Sequence, residues 1–422
     1  MLNKLALFIL CFISISCFAQ IGHNKTEIVK TNEGFKLLRN GEYYYVNGAG
    51  GDKYLKELAD IGGNSIRTWA TENGLAVLDS AHKYGLTVCM GLWVNHERHG
   101  FDYNDKYAVK AQLKSFEDAI IKMRDHPALL MWAVGNEVDL FYSNFKVWNA
   151  VEDIAAMIKK LDPKHPTMTV TAGIDVAEVA MIKEFCPSID ILGINTYGGI
   201  SQLSDQVRKY GWVKPYMVTE WGPYGHWESP QVSWGVAVEA NSSQKAKMRE
   251  DSYVHIVEDK ELCLGSYCFL WGYKQEVTPT WYGIFTKDGR GTESIDVLNS
   301  YWAKNPNKNK APLLSSFLLN GKTKYESIKV RKRKDCLFTL KVSDFENDSL
   351  TFVYELMQES TDKKAGGDFE ASMDALNYKV INQSKNSIKI KAPSRSGAYR
   401  FYVYISDKNR NVATANIPFY VK

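Results

Sequence analysis

The chain has almost no excess charge: across 422 residues the formal net charge at neutral pH is +4. That near balance leaves no basic stripe able to follow a phosphate backbone, so no nucleic-acid partner is expected. Cysteine is scarce too. Beyond Cys11 and Cys17 there are only Cys89, Cys186, Cys263, Cys268 and Cys336, an odd set at irregular spacing, which argues against a disulfide framework and suits small core residues. No apolar run after the first residues is long enough to span a bilayer. No Gly-rich phosphate loop opens a helix, and no long-range repeat is visible. Tryptophan is missing from the last quarter of the chain: all 11 lie between Trp69 and Trp302.

What is present is a 45% hydrophobic composition, enough for one large domain and a smaller one. Residues 1–19 read as a secretory signal. Lys4 supplies positive charge, Leu5–Ile15 is apolar, and Cys17-Phe18-Ala19 ends in a small residue before Gln20. Cleavage after Ala19 is expected, giving an exported protein in the periplasm, at the cell surface or outside the cell. A lipid anchor on Cys17 is the rival, disfavoured because Ser14-Ile15-Ser16 puts no Leu three residues before the cysteine.

Residues 20–302 read as one domain, in which, after a polar start, short apolar runs from Tyr43 to Trp302 alternate with segments of helical periodicity. The expected strands are Tyr43–Asn47, Ser65–Trp69, Leu86–Val94, Leu129–Gly135, Met168–Thr171, Ile189–Thr196, Tyr216–Thr219 and Gly265–Leu270. Eight such units over about 260 residues fit a (β/α)8 TIM barrel. Residues 303–312, rich in Lys, Asn and Pro, read as a linker. Residues 313–422 carry short alternating strands and polar turns, the pattern of an immunoglobulin-like β-sandwich. Its basic cluster, Arg331-Lys332-Arg333-Lys334, reads as a solvated hairpin. With no Trp to stack on a sugar, this second domain reads as a spacer or brace.

Two stretches carry the chemistry. Met131-Trp132-Ala133-Val134-Gly135-Asn136-Glu137 and Pro215-Tyr216-Met217-Val218-Thr219-Glu220-Trp221 are each an apolar strand ending in a carboxylate. In a barrel the C-terminal strand ends converge, so Glu137 after strand four and Glu220 after strand seven would face each other across the mouth. Paired carboxylates of this kind suit glycosidic-bond cleavage, with one as proton donor and one as nucleophile. Long loops at 95–104, 221–241 and 272–292 mark the same face, and Trp221, Trp227 and Trp234 could wall a groove there. His96-Glu97-Arg98-His99 is not the zinc-protease spacing, so His96 is expected to contact substrate or brace its loop. Asp344, Glu346, Asp348 and Glu355 follow a calcium-loop count, but Ser349 stands where that loop needs Gly; a turn is expected, and no metal or cofactor.

Gly135-Asn136-Glu137 and Val218-Thr219-Glu220-Trp221 resemble the acid/base and nucleophile motifs of the clan A retaining glycoside hydrolases. Asn64-Ser65-Ile66-Arg67-Thr68-Trp69 and Thr278-Pro279-Thr280-Trp281-Tyr282-Gly283 resemble family 2 barrels. An N-terminal barrel with one immunoglobulin-like domain after it resembles glycoside hydrolase family 158, the endo-β-1,3-glucanases. The resemblance implies that Glu137 is the acid/base and Glu220 the nucleophile. It further implies that Asn136 binds the sugar 2-hydroxyl, Tyr197 orients Glu220, and Trp271 forms the floor under the sugar; Arg67, ending the second strand, suits holding Glu220 ionised. The resulting expectation is a monomeric, retaining, endo-acting hydrolase of laminarin-type β-1,3-glucan. The alternatives are another β-glycanase or exo-β-glycosidase of the clan, and a carbohydrate-binding protein on a catalytically dead barrel.

Overall fold

The computed structural model describes residues 24–304 and 309–422. The expected signal segment 1–19 lies outside the described residues, as does the middle of the expected linker. Eight parallel strands close into a barrel: Val46–Gly50, Ser65–Arg67, Thr87–Leu92, Leu129–Val134, Thr167–Ala172, Ile191–Asn195, Tyr216–Trp221 and Cys263–Cys268. The last returns to the first, with Gly265 opposite Val46. Helices wrap the outside, as a parallel sheet buried on both faces requires.

The fourth strand shows how the sequence divides between the two faces. Leu129, Trp132 and Val134 join the layer under the helices. Leu130 and Ala133 join the cluster that fills the barrel. Asp105 and Asp175 cap the starts of Lys106–Met123 and Val176–Phe185, and the long helix Ser242–Glu258 opens with a reciprocal capping box between Asn241 and Gln244.

The first barrel strand starts at Val46, not at the expected Tyr43. The reason is an unforeseen antiparallel sheet of three strands, Thr26–Thr31, Gly34–Arg39 and Glu42–Tyr43. Its Leu37 packs among Val46, Met131, Met217 and Tyr267 inside the barrel, so the sheet plugs the floor. Buried Arg39 ties it down by donating to the carbonyls of Pro127 and Leu129.

The second domain is two facing antiparallel sheets, one of four strands and one of five. Phe338 from one sheet stacks on Phe401 from the other with centroids 4.1 Å apart. Arg331, Lys332, Arg333 and Lys334 are all exposed, on the turn between Lys329–Val330 and Asp335–Ser343.

The two domains are joined by a buried polar network. Glu239 of the barrel, 2% exposed, pairs with Lys245. It also accepts from Thr278 at 2.6 Å and Thr280 at 2.7 Å, and from Asn416 of the second domain. Arg400 of the second domain donates to the Ala237 carbonyl at 3.0 Å and forks onto Glu359 at 2.9 and 3.0 Å. Leu314 is held from both sides, donating to Ser243 Oγ and accepting from Asn241 Nδ2. Replacing Glu239 with Ala strands the buried Lys245 ammonium and should cost roughly 3–5 kcal/mol, read as a lowered midpoint in chemical denaturation; a loss below about 1 kcal/mol would mean water reaches this seam.

Candidate active site

Gly135 makes the turn at the end of the fourth strand, with φ of 77°, a left-handed conformation that glycine adopts without penalty. Glu137 two residues later also has positive φ, 51°, and its N–H donates to the Val170 carbonyl at 2.8 Å. The turn thereby delivers Asn136 and Glu137 side by side to the mouth. From the seventh strand, Glu220 reaches the same cavity, whose volume is about 280 Å³.

Arg67, from the end of the second strand and 1% exposed, organises the floor. It donates to Glu220 Oε1 at 3.0 Å, to the Thr219 carbonyl at 3.1 Å, and to Asn136 Oδ1. Glu220 receives two further donors, Trp69 Nε1 at 2.8 Å and Tyr197 Oη at 3.1 Å. Burial pushes the Tyr197 phenol well up, so it stays protonated and donates. Asn195, from the sixth strand, bridges the two carboxylate-bearing elements. Its Nδ2 donates to Glu137 Oε1 at 2.7 Å and to Asn136 Oδ1 at 3.2 Å, while its Oδ1 accepts from Thr219 at 2.8 Å.

The two carboxyls therefore sit in different surroundings. Burial, followed by the nearby Glu220 charge, pushes the Glu137 carboxyl up to about 7. A carboxyl that is protonated near neutrality beside a carboxylate held by a cation is the division that acid-assisted nucleophilic substitution requires. Aromatic rings complete the walls: Trp69, Trp93, Trp227 and Phe269 line the cavity with Tyr197. Trp227 meets Tyr197 edge-on at 5.9 Å, and Trp69 meets Phe269 edge-on at 6.0 Å.

Three expected contacts are corrected. Trp221 is 0% exposed and stacks on Tyr253 in the outer layer; as the neighbour of Glu220 on one strand, it must point to the opposite face. Trp271 is likewise fully buried, donating to the Tyr54 carbonyl at 3.1 Å and packing on Phe285. Phe269 and Leu270 stand at the cavity instead. His96 does not reach the cavity; burial pushes its imidazole down, and its neutral ring bonds the Asn136 carbonyl at 2.6 Å, which braces the carboxylate-bearing turn. Asn195, Trp69 and Trp93 are site residues that the sequence reading did not single out. Away from the mouth, Asp344, Asp348 and Asp407 bring carboxylate oxygens within 4.8 Å of one another, with Lys408 supplying positive charge to Asp348 at 2.8 Å.

Residues 63–232 match the family model for glycosyl hydrolases family 2, TIM barrel domain. A β-glucuronidase of Paenibacillus borealis is 22% identical over 329 residues, which is 64% of this chain and 51% of that protein. In fold, the chain resembles a Bacteroides uniformis β-glucuronidase with a TM-score of 0.53 at 13% identity, over 94% of this chain and 48% of that one. A Ruminococcus gnavus β-glucuronidase gives 0.50 at 16% identity, over 66% of this chain and 52% of its own. The chain thus spans about half the length of the relatives it matches. Over residues 63–232 the barrel is therefore similar to the family 2 TIM-barrel domain, and these matches do not support the narrower resemblance to family 158.

The Glu137 environment makes two measurable statements. Neutralising its neighbour with Glu220→Gln removes a repulsive charge, so the Glu137 titration followed by carbonyl NMR should move to lower pH. Because the folded-state pKa is raised, Glu137 contributes stability in full below the usual carboxylate range and loses it as pH rises through about 7. Glu137→Gln should therefore stabilise the fold more at pH 8 than at pH 5, by on the order of 3 kcal/mol at most. Equal melting shifts at both pH values would show that Glu137 is not buried as described.

Proposed function

We propose that the protein is a retaining, exo-acting β-glycosidase that removes a terminal sugar by double displacement. In this reading Glu220 attacks the anomeric carbon while Glu137 protonates the departing oxygen. The glycosyl ester so formed is then hydrolysed by water, with Glu137 now accepting the proton. Arg67 and Tyr197 orient Glu220, and the Asn136 amide is placed to bond a sugar hydroxyl beside the reacting carbon.

The observation that carries this reading is Glu137 and Glu220 in one aromatic-walled cavity, one carboxyl raised by burial and the other bound to Arg67. Its volume of about 280 Å³ lies just below the range of about 300–1,000 Å³ for small-molecule sites, which suits a chain end better than a polymer passing through. The expected endo-cleavage of β-1,3-glucan accordingly gives way to its exo-acting alternative, a reading that the β-glucuronidase relatives also support. The alternative of a non-catalytic sugar-binding barrel is disfavoured by the intact carboxylate pair.

Two terminal sugars come into question. The nearby cations are each matched by an acid, Arg67 by Glu220, Lys274 by Glu276 at 2.7 Å and Arg98 by Asp368 at 2.6 Å, which favours a neutral sugar. A β-glucuronide is the second reading, favoured by the relatives and by the presence of Lys274 at the cavity.

Nitrophenyl β-glycosides, with the glucoside and glucuronide among them, give the direct test. One should be cleaved with retention of configuration by NMR, and Glu220→Gln should lower kcat on the order of 10³-fold or more. Added azide should yield the α-glycosyl azide with Glu220→Gly and the β-azide with Glu137→Ala. Inverted product from the native enzyme would reject the mechanism.

A further inference from the structure

The second domain does more than pack against the barrel. Between its strands Thr351–Gln358 and Ala375–Leu376, residues 359–374 return over the barrel mouth, and Gly366, Gly367 and Asp368 line the same cavity as Glu137 and Glu220. This strap is held from opposite sides. On one side, Asp368 Oδ2 accepts from Arg98 at 2.6 Å and His99 at 3.0 Å, and Arg98 also donates to the Ala365 carbonyl at 3.2 Å. On the other, Lys274 donates to the Gly367 carbonyl at 2.7 Å, and buried Glu370 accepts from the Val277 N–H at 2.6 Å. The anchors thus come from the loops after the third and eighth barrel strands.

The fit is close as well as bonded. Gly366 and Gly367 have φ of 61° and 69°, where side chains are strained. A Cβ on Gly366 would stand 2.7 Å from Leu140 and 2.8 Å from Arg98, and one on Gly367 would stand 2.7 Å from Lys274 Nζ. The Arg400 fork onto Glu359 fixes the root of the strap to the interdomain seam. A loop of this length that is pinned at both flanks and threaded by two left-handed glycines is built to hold a position.

We propose that the strap at residues 359–374 of the second domain is the specificity-determining wall of the active site: it blocks one end of the cleft, so that only the free end of a glycan can enter. This inference rests on the exo-acting reading, and the substrate class it implies is a β-linked chain with an unsubstituted non-reducing terminus. Asp368 acts in it as a positioning residue, through Arg98 and His99.

The test uses a β-linked oligosaccharide that the native enzyme cleaves, prepared with its non-reducing end free or carrying a 4-O-benzyl block. Two variants are compared with the full-length native protein: one with residues 364–369 replaced by Gly-Ser-Gly, and Asp368→Ala, which keeps the chain intact should the replacement not fold. The native enzyme should cleave only the free-ended chain. Strap replacement should admit the blocked chain. Asp368→Ala should raise KM for the free-ended chain about tenfold, with kcat and its pH profile little changed, since it moves a wall and not the carboxyls. If the native enzyme requires a free end but both folded variants keep the same end requirement and the same KM, the strap has no such role and the exo reading stands. If the native enzyme already cleaves the blocked chain, the exo reading falls and the wall with it.

Discussion

A carboxylate removed from water must find its hydrogen bonds in protein, and Glu239 finds them in both domains at once. Lys245, Thr278 and Thr280 come from the barrel and Asn416 from the sandwich. Such a group tolerates few arrangements, because each lost donor leaves a desolvated charge less well matched. The satisfaction of this side chain is therefore one of the bonds that tie the two domains together. Arg400 repeats the logic from the other direction, with one nitrogen on the barrel carbonyl of Ala237 and a fork on Glu359.

Within the mouth, Arg67 plays the corresponding part. Its guanidinium is planar and rigid, so contacts to Glu220, Asn136 and the Thr219 carbonyl fix these groups relative to one another. The asymmetry between the carboxyls follows from what each is given. Glu220 has a cation, an indole and a phenol around it, whereas the side chain bonded to Glu137 is the neutral amide of Asn195. Difference in surroundings, not in residue type, assigns the two glutamates different tasks.

Much of this was readable in the sequence because the barrel writes itself as eight apolar runs between helical segments, and because two of those runs end in carboxylates. The placement of Glu137, Glu220, Arg67, Asn136 and Tyr197 follows from strand ends converging on one face. Trp221 and Trp271 did not follow: Trp221 reads as loop but is the last residue of the seventh strand and faces away from Glu220, and Trp271 lies beyond the eighth strand, which ends at Cys268. The floor sheet at Thr26–Tyr43 was hidden by its polar alternation, which resembles loop. Asn195, Trp69 and Trp93 lacked a local pattern: an amide or an indole at the end of a strand looks alike whether it bonds a carboxylate or solvent. The strap was the least legible, because nothing in a Gly-Gly-Asp turn within a sandwich indicates that its partners, Arg98 and Lys274, lie in another domain.

The dependence of the mouth on residues 359–374 bears on the order of events during synthesis. Domains tend to fold as units from the N-terminus while translation proceeds. A nascent chain extended through Trp302 holds all eight barrel strands and both glutamates, yet one side of its cavity is open. Only when the sandwich has been made and seated against Glu239 does the turn at Gly366-Gly367 arrive between Arg98 and Lys274. Assembly in that order has a built-in delay, in which the carboxyls of the site are in place before the cavity that holds them is fully walled.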